Sequence, residues 1–173
     1  MGGCSERNLA PGMLEDGHPA ILGTAPHFES RTLEGAAFSA REFKGKTTLL
    51  TFWASWCAQC KPELRSLNLL ATEKRPAGLQ IIAVAVDDDL ASAIAFVHKN
   101  SLTFPVIFDR AGELKSQFKI TSVPTTLLID EEARIREIRD PQSAGWVPAI
   151  LGPRRWDIPE ARLWLVHTLL HLQ

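Results

Sequence analysis

The chain has 173 residues, 45% of them apolar and 23% charged, with a formal net charge of −1. That is enough apolar material for the core of one compact domain and too much for a disordered chain. A near-neutral charge with no dense Lys/Arg cluster excludes a general nucleic-acid surface. No apolar run reaches the ~20 residues needed to cross a bilayer.

Residues 1–19 contain Gly2, Gly3, Pro11, Gly12, Gly17 and Pro19 and lack a periodic apolar pattern, so they read as a tail or linker. Residues 20–173 then form the one folded domain. No signal segment is present in this sequence, because no basic stretch precedes an apolar run. "MGGC" nevertheless suits the end of a bacterial lipoprotein signal, with Cys4 as the lipid-bearing residue. An unmodified thiol in a tail is the alternative.

The stretch "HFESRTLEGAAFS" predicts two short strands around a Gly35 turn. Ser39 and Glu42 have capping-box spacing and predict a short helical turn. "KTTLLTFWA" is β-branched and aromatic and predicts a buried strand. From Ala58 to about Lys74 the pattern turns helical, with Leu64, Leu67 and Ala71 at steps of three and four. Pro62, near the start of this helix, is expected to cost one hydrogen bond and loosen the turn.

"LQIIAVAV" predicts a second buried strand. Asp87 to Asp89 supply helix-start carboxylates for a helix over Leu90 to Lys99. "FPVIFD" predicts a strand, with Pro105 at an edge or a strand start. "GELKSQF" predicts a short helix, and "TTLLID" and "ARIREIR" predict two strands around Glu131–Glu132. Asp140 to Trp156 is rich in Pro and Gly and reads as an irregular segment too long for a plain connection, a candidate functional loop. The last helix opens with Asp157 and Glu160 in capping spacing and with Pro159 in its first turn. The order β-α-β-α-β-α-β-β-α is an α/β pattern, one central sheet with helices on its faces.

The chemistry centres on Cys57 and Cys60, two of three cysteines. A structural zinc site needs four ligands, and the chain has no second Cys pair. His167 and His171 lie one helical turn apart, but they also fit amphipathic positions near a helix end, and no metal is expected. A bridge between residues three apart closes too small a loop to serve as a staple, so a reversible couple makes better physical sense. Cys57 follows a buried strand and precedes a helix, whose dipole and free N–H groups stabilise a thiolate. Cys60 lies within disulfide reach. Cys57 is therefore expected to be the exposed nucleophile and Cys60 the sheltered resolving residue.

Resolution needs a thiolate at Cys60, which burial opposes, so a nearby carboxylate could relay the proton. Glu63 has the spacing for this role. A Glu early in a helix is also ordinary, and spacing alone leaves both readings open. "TSVPTT" raises a second choice. A cis Val123–Pro124 bond would turn a backbone edge outward for pairing with an extended substrate, whereas a trans proline would simply open a strand.

"FWASWCAQCKPE", "SVPTT" and "LLIDEEARI" together resemble the thioredoxin superfamily, in particular its TlpA/ResA-like thiol–disulfide oxidoreductases with a redoxin or AhpC/TSA-like domain. The leading "GTAPHFESRTLEGAAFSAREFKGKTTLLTFWASWC" resembles the same branch, and "LGPRRWDIPEA" resumes the likeness. The resemblance implies a thioredoxin-like fold with an N-terminal β-hairpin extension and a redox-active Cys57–Cys60 disulfide in place of any cofactor. It implies a cis Pro124 beside Cys57 and substrate contact through Trp56, Val123 and Pro124. It makes Glu63 the proton relay, since Thr51 stands where plain thioredoxin keeps a buried Asp. It implies a monomer that exchanges disulfides with protein substrates, is recycled by an upstream thiol reductant, and works as an extracytoplasmic reductant in the bacterial envelope. Membrane contact would come only through a lipid anchor.

Three departures from the family stand out. Ala58–Gln59 between the cysteines contains no proline, which leaves reductase against oxidase open. Arg65 stands near where relatives often have a proline. Residues 140–150 look like an insertion, in which Trp146 is a candidate for partner choice. Two other readings compete. A peroxiredoxin-like peroxidase would carry P-x-x-x-T-x-x-C, which "TFWASWC" does not fit. A copper-binding chaperone of thioredoxin-like fold would use a wider Cys spacing and a His.

Overall fold

A computed structural model describes residues 22–73, 76–140, 146–147 and 149–171, apart from the side chains at 139, 146 and 168–171. The expected tail, including Cys4, lies outside the described residues, as do the side chains of Trp146 and His171. Strand β1 is Gly23–Thr24, and β2 (Glu29–Arg31) and β3 (Ala37–Ser39) form the leading hairpin. A short 3-10 turn follows at Ala40–Phe43, with the Ser39 hydroxyl accepting from the Arg41 N–H. Then come β4 (Thr47–Trp53), α1 (Cys60–Glu73), β5 (Leu79–Ala85), α2 (Leu90–Asn100), β6 (Val106–Phe108) and α3 (Glu113–Gln117). The chain closes with β7 (Thr125–Ile129), β8 (Arg134–Arg136), β9 (Ile138–Arg139), β10 (Trp146–Val147), β11 (Ile150–Leu151) and α4 (Pro159–His171).

The central sheet runs β1-β8-β7-β4-β5-β6, with β11 added to β7. β4, β5 and β6 are mutually parallel, while β7 is antiparallel to both β4 and β8. This is the mixed sheet of a thioredoxin-like fold. β4 and β5 are buried along their length, with only Gln80 half-buried, because both of their faces are covered. Side chains alternate between those faces. Leu49, Trp53, Ile81, Ala83 and Leu128 pack with Leu64, Leu67 and Leu70 of α1 and with Trp156 and Leu165. Leu50, Phe52, Ile82, Val84, Leu127 and Ile129 pack on the other side with Leu114, Phe118 and the rings of Phe28, Phe38 and Phe43. Those rings anchor the hairpin extension to the sheet: Phe28 contacts Phe38, Phe43 and Phe118 at centroid distances of 5.9–6.2 Å.

Three local expectations are corrected. α1 begins at Cys60, two residues later than the periodicity suggested, because Ala58–Gln59 form a turn. Pro62 is the third residue of α1, where a backbone N–H has no partner within the helix, so it removes no helical bond. The segment from Asp140 to Trp156 is not wholly irregular. β10 pairs with β9 and β11 joins the main sheet, as two-residue strands too short to leave a periodic signal.

Phe43 is fully buried within the ring cluster that carries the hairpin. Phe43→Ala is therefore expected to lower stability by about 3–5 kcal/mol, measured by urea denaturation. A loss below ~1 kcal/mol, the scale of an ordinary surface change, would show that the hairpin is not anchored through these rings.

Candidate active site

β4 ends at Trp53 and delivers the chain to Cys57 at one end of the sheet. Register brings the neighbouring strands to the same place. Phe52 pairs with Thr125 of β7, so Val123 and Pro124 arrive beside the cysteine loop. The Val123–Pro124 bond is cis, as the family resemblance implied and against the trans majority of X–Pro bonds. The Val123 carbonyl oxygen lies 3.8 Å from Cys57 Sγ.

Cys57 and Cys60 are joined by a disulfide. Cys57 retains 8% exposure, whereas Cys60 is fully enclosed. Both sulfur-bearing residues are therefore buried in the disulfide form, and the exposure expected of Cys57 is reduced to this narrow opening. The Cys60 N–H, at the first position of α1, donates to Cys57 Sγ at 3.2 Å. A backbone donor at a helix start is the local feature that favours negative charge on that sulfur. Trp56, next to Cys57, is 68% exposed, a large aromatic surface left uncovered beside the redox pair.

The cysteine loop is tethered from β5. Asp87 follows that strand and is buried, and its carboxylate accepts the Ser55 N–H at 2.9 Å and also the Ser55 hydroxyl. The sequence reading gave Asp87 to the start of α2. That work falls to Asp89, whose carboxylate accepts from the N–H groups of Ala91 and Ser92. A carboxylate just past the end of a strand parallel to the cysteine-bearing strand was the available signal for Asp87, but its use depends on the β4–β5 register.

Glu63 lies in the first turn of α1 and is 1% exposed. Its Oε1 accepts from the Trp156 indole N–H at 3.0 Å and from the Thr126 hydroxyl at 3.1 Å. The Thr126 oxygen is also 3.0 Å from the Thr51 hydroxyl. Because each hydroxyl has one proton, the consistent pattern is Thr51 donating to Thr126 and Thr126 donating to Glu63. Thr51 and Thr126 are direct partners across β4 and β7, so period two puts both on the face that α1 covers. Glu63 Oε2 is enclosed and has no hydrogen-bond partner among the described residues.

Burial dominates this carboxyl and raises its pKa from 4.5 to about 7. The Trp156 and Thr126 hydrogen bonds and the charge of Arg154 oppose the rise without cancelling it.

Trp156 comes from the segment that the sequence described only as a loop. Gly152 turns with φ of 77°, in the region that favours glycine, and its N–H donates to the Pro124 carbonyl at 2.9 Å. Arg154 makes a paired contact with Asp140, Nε–Oδ1 at 2.9 Å and Nη2–Oδ2 at 2.8 Å. The Trp156 N–H donates to Ser66 Oγ at 3.1 Å, and the Ser66 hydroxyl lies 2.8 Å from the Glu63 carbonyl. Trp156, Ser66, Thr126 and Arg154 were all missed as site residues. Trp156 is 93 positions from Glu63 and sits between elements, so no spacing or period links the two.

The chain matches the AhpC/TSA family over residues 21–138. It is 35% identical over 120 residues to the thiol–disulfide oxidoreductase ResA of Bacillus thuringiensis subsp. konkukian (strain 97-27), covering 69% of each chain. It also superposes on the crystal structure of StoA from Bacillus subtilis with a TM-score of 0.65 and 27% identity, covering 85% of this chain and 98% of that one. A putative thiol:disulfide interchange protein DsbE from Chlorobium tepidum shares the fold, with a TM-score of 0.71 at 24% identity over 87% of this chain and 99% of that one.

The raised pKa has a consequence for stability. Between pH 4.5 and about 7 the folded protein holds a proton on Glu63 that the unfolded chain releases. The contribution of Glu63 is thus most favourable below pH 4.5 and is lost as the pH rises towards 7. Glu63→Gln is neutral at every pH, and its gain over the parent is expected to grow by ~2–3 kcal/mol between pH 4 and pH 8. Urea denaturation of the oxidised protein at the two pH values reads this difference. A gain that does not change with pH would mean that the carboxyl titrates as a solvated one.

Proposed function

The chain belongs to the AhpC/TSA family and is a thiol–disulfide oxidoreductase similar to ResA, and from that premise we propose that it acts as an extracytoplasmic reductant of protein disulfides, with Cys57, Cys60 and Glu63 dividing the work. The Cys57 thiolate attacks one sulfur of a partner disulfide. The partner's S–S bond breaks, a mixed disulfide forms, and the first partner sulfur leaves as a thiolate that takes up a proton. Cys60 then loses its proton to the Glu63 carboxylate and attacks Cys57 Sγ, which expels the second partner sulfur. Two electrons pass from the dithiol to the partner, leaving Cys57 and Cys60 bonded to each other. An upstream thiol reductant restores the dithiol.

The observation that carries this reading is Glu63: an enclosed carboxyl that titrates near neutrality, one helical turn from the buried sulfur. A general base works best when its pKa lies near the working pH. Trp56 and the Val123–Pro124 edge supply the docking surface for an extended partner segment. The chain works as a monomer. The extracytoplasmic place and a lipid on Cys4 rest on the family resemblance, and mass analysis of Cys4 from the native membrane fraction tests the second.

Cys60→Ala is expected to accumulate mixed disulfides on Cys57 when the reduced protein meets disulfide-containing proteins. Glu63→Gln should slow the resolving step at pH 7 by about 10²-fold. Absence of a covalent adduct with Cys60→Ala, by non-reducing electrophoresis, removes the assignment of Cys57 as attacker. The direction of exchange is tested by equilibrating the pair with a glutathione or dithiothreitol buffer. A potential near about −270 mV marks a reductant, and one near about −120 mV an oxidant.

A further inference from the structure

The exchange steps above use α1 and the cysteine loop, yet the end of the loop after the sheet is built into the pocket of the acid. Trp156 is fully buried, and its ring packs against that of Trp164, with centroids 6.1 Å apart. Its backbone N–H is held by Ser66, and two residues earlier the Arg154 guanidinium is held by Asp140, with both of those side chains nearly buried. So restrained, the indole has one polar group, and that group donates to Glu63 Oε1. The Thr126 hydroxyl donates to the same oxygen. Oε1 therefore accepts two hydrogen bonds, the number its two lone pairs allow, while Oε2 accepts none from the described residues.

We propose that Trp156 is a positioning residue of the exchange reaction: by fixing Oε1, its indole N–H makes Oε2 the oxygen that receives and returns the Cys60 proton. The proposal rests on the relay role given to Glu63 above. In the step it governs, the Cys60 S–H bond breaks, its electron pair stays on sulfur, and the proton forms an O–H bond at Oε2. On return, the proton passes to solvent or to the departing partner thiolate. No oxidant beyond the partner disulfide is needed.

The groups facing Glu63 give this control a defined sign. β4 and β7 carry no titratable residue. The first turn of α1 contributes the Cys60 thiol once reduced, three residues before Glu63, while Lys61 lies two residues from Glu63, off its helical face. The loop contributes Arg154, whose charge Asp140 partly offsets. The Trp156 donor favours the carboxylate, so its loss makes the acid hold its proton to higher pH.

The test follows the Glu63 carboxyl carbon by NMR in the oxidised protein, together with the pH profile of the resolving step. Trp156→Phe is expected to raise the Glu63 midpoint by about one pH unit, a tenfold gain in proton affinity, and to shift the rate profile by the same amount. Thr126→Val should raise it in the same sense, and Thr126→Ser should restore the parental value. If Trp156→Phe does not fold, Trp156→benzothienylalanine replaces the N–H with sulfur at nearly constant shape. A midpoint that stays in place after loss of the indole N–H overturns the proposal. Glu63→Gln separates the two claims. If that variant keeps the inflection near neutral pH, the relay itself fails. If it erases the inflection and Trp156→Phe leaves it unmoved, only the positioning role fails.

Discussion

The site depends on a single constraint: a carboxyl group is held where water does not reach it, between a helix and two threonines of the central sheet. An enclosed carboxylate is strongly disfavoured unless donors meet it. Here the donors suffice for one oxygen and not for the other. The balance leaves the pKa of the acid raised to about 7, with burial outweighing the donors. A fully satisfied carboxylate would stay ionised, and a wholly unsatisfied one would stay protonated. Neither would exchange a proton readily with a thiol.

The fold produces that balance through register rather than through any one segment. Thr51 and Thr126 oppose one another because β4 and β7 are antiparallel with that pairing. The same pairing brings Pro124 to the redox loop. A slip of one residue in β7 would turn the Thr126 hydroxyl to the opposite face and part it from Thr51 and Glu63. The position and the chemistry of the site are thus set together by how the two strands align.

Much of this was legible in the sequence because it is local. The strand, the two cysteines and the acid three residues later lie within 17 consecutive positions, Thr47 to Glu63, and the buried strands announce themselves as β-branched, aromatic and aliphatic runs. The hairpin was legible from two short strand-like stretches around its Gly35 turn. What was not legible depends on contacts between distant segments. Trp156 resembles any loop aromatic until the chain returns to α1. Asp87 looks like one of three helix-start acids until Ser55 is placed beside it. The cis state of the Val123–Pro124 bond was open on the residues alone, and only the family likeness selected it. The start of α1 was misplaced because Ala58 and Gln59 are compatible with a helix, and nothing local shows the turn they adopt.

The ion pair between Asp140 and Arg154 closes a stretch 14 residues apart in the chain. Trp156, two residues past that clasp, reaches the acid, and Gly152, inside it, donates to the Pro124 carbonyl. A substitution at Ile150 or Gly152 would therefore be felt on β7, beside the threonine that meets the acid. The stretch between the two ion-pair residues is thus a strut of the reactive centre, and evolutionary change there is constrained by the strand it braces.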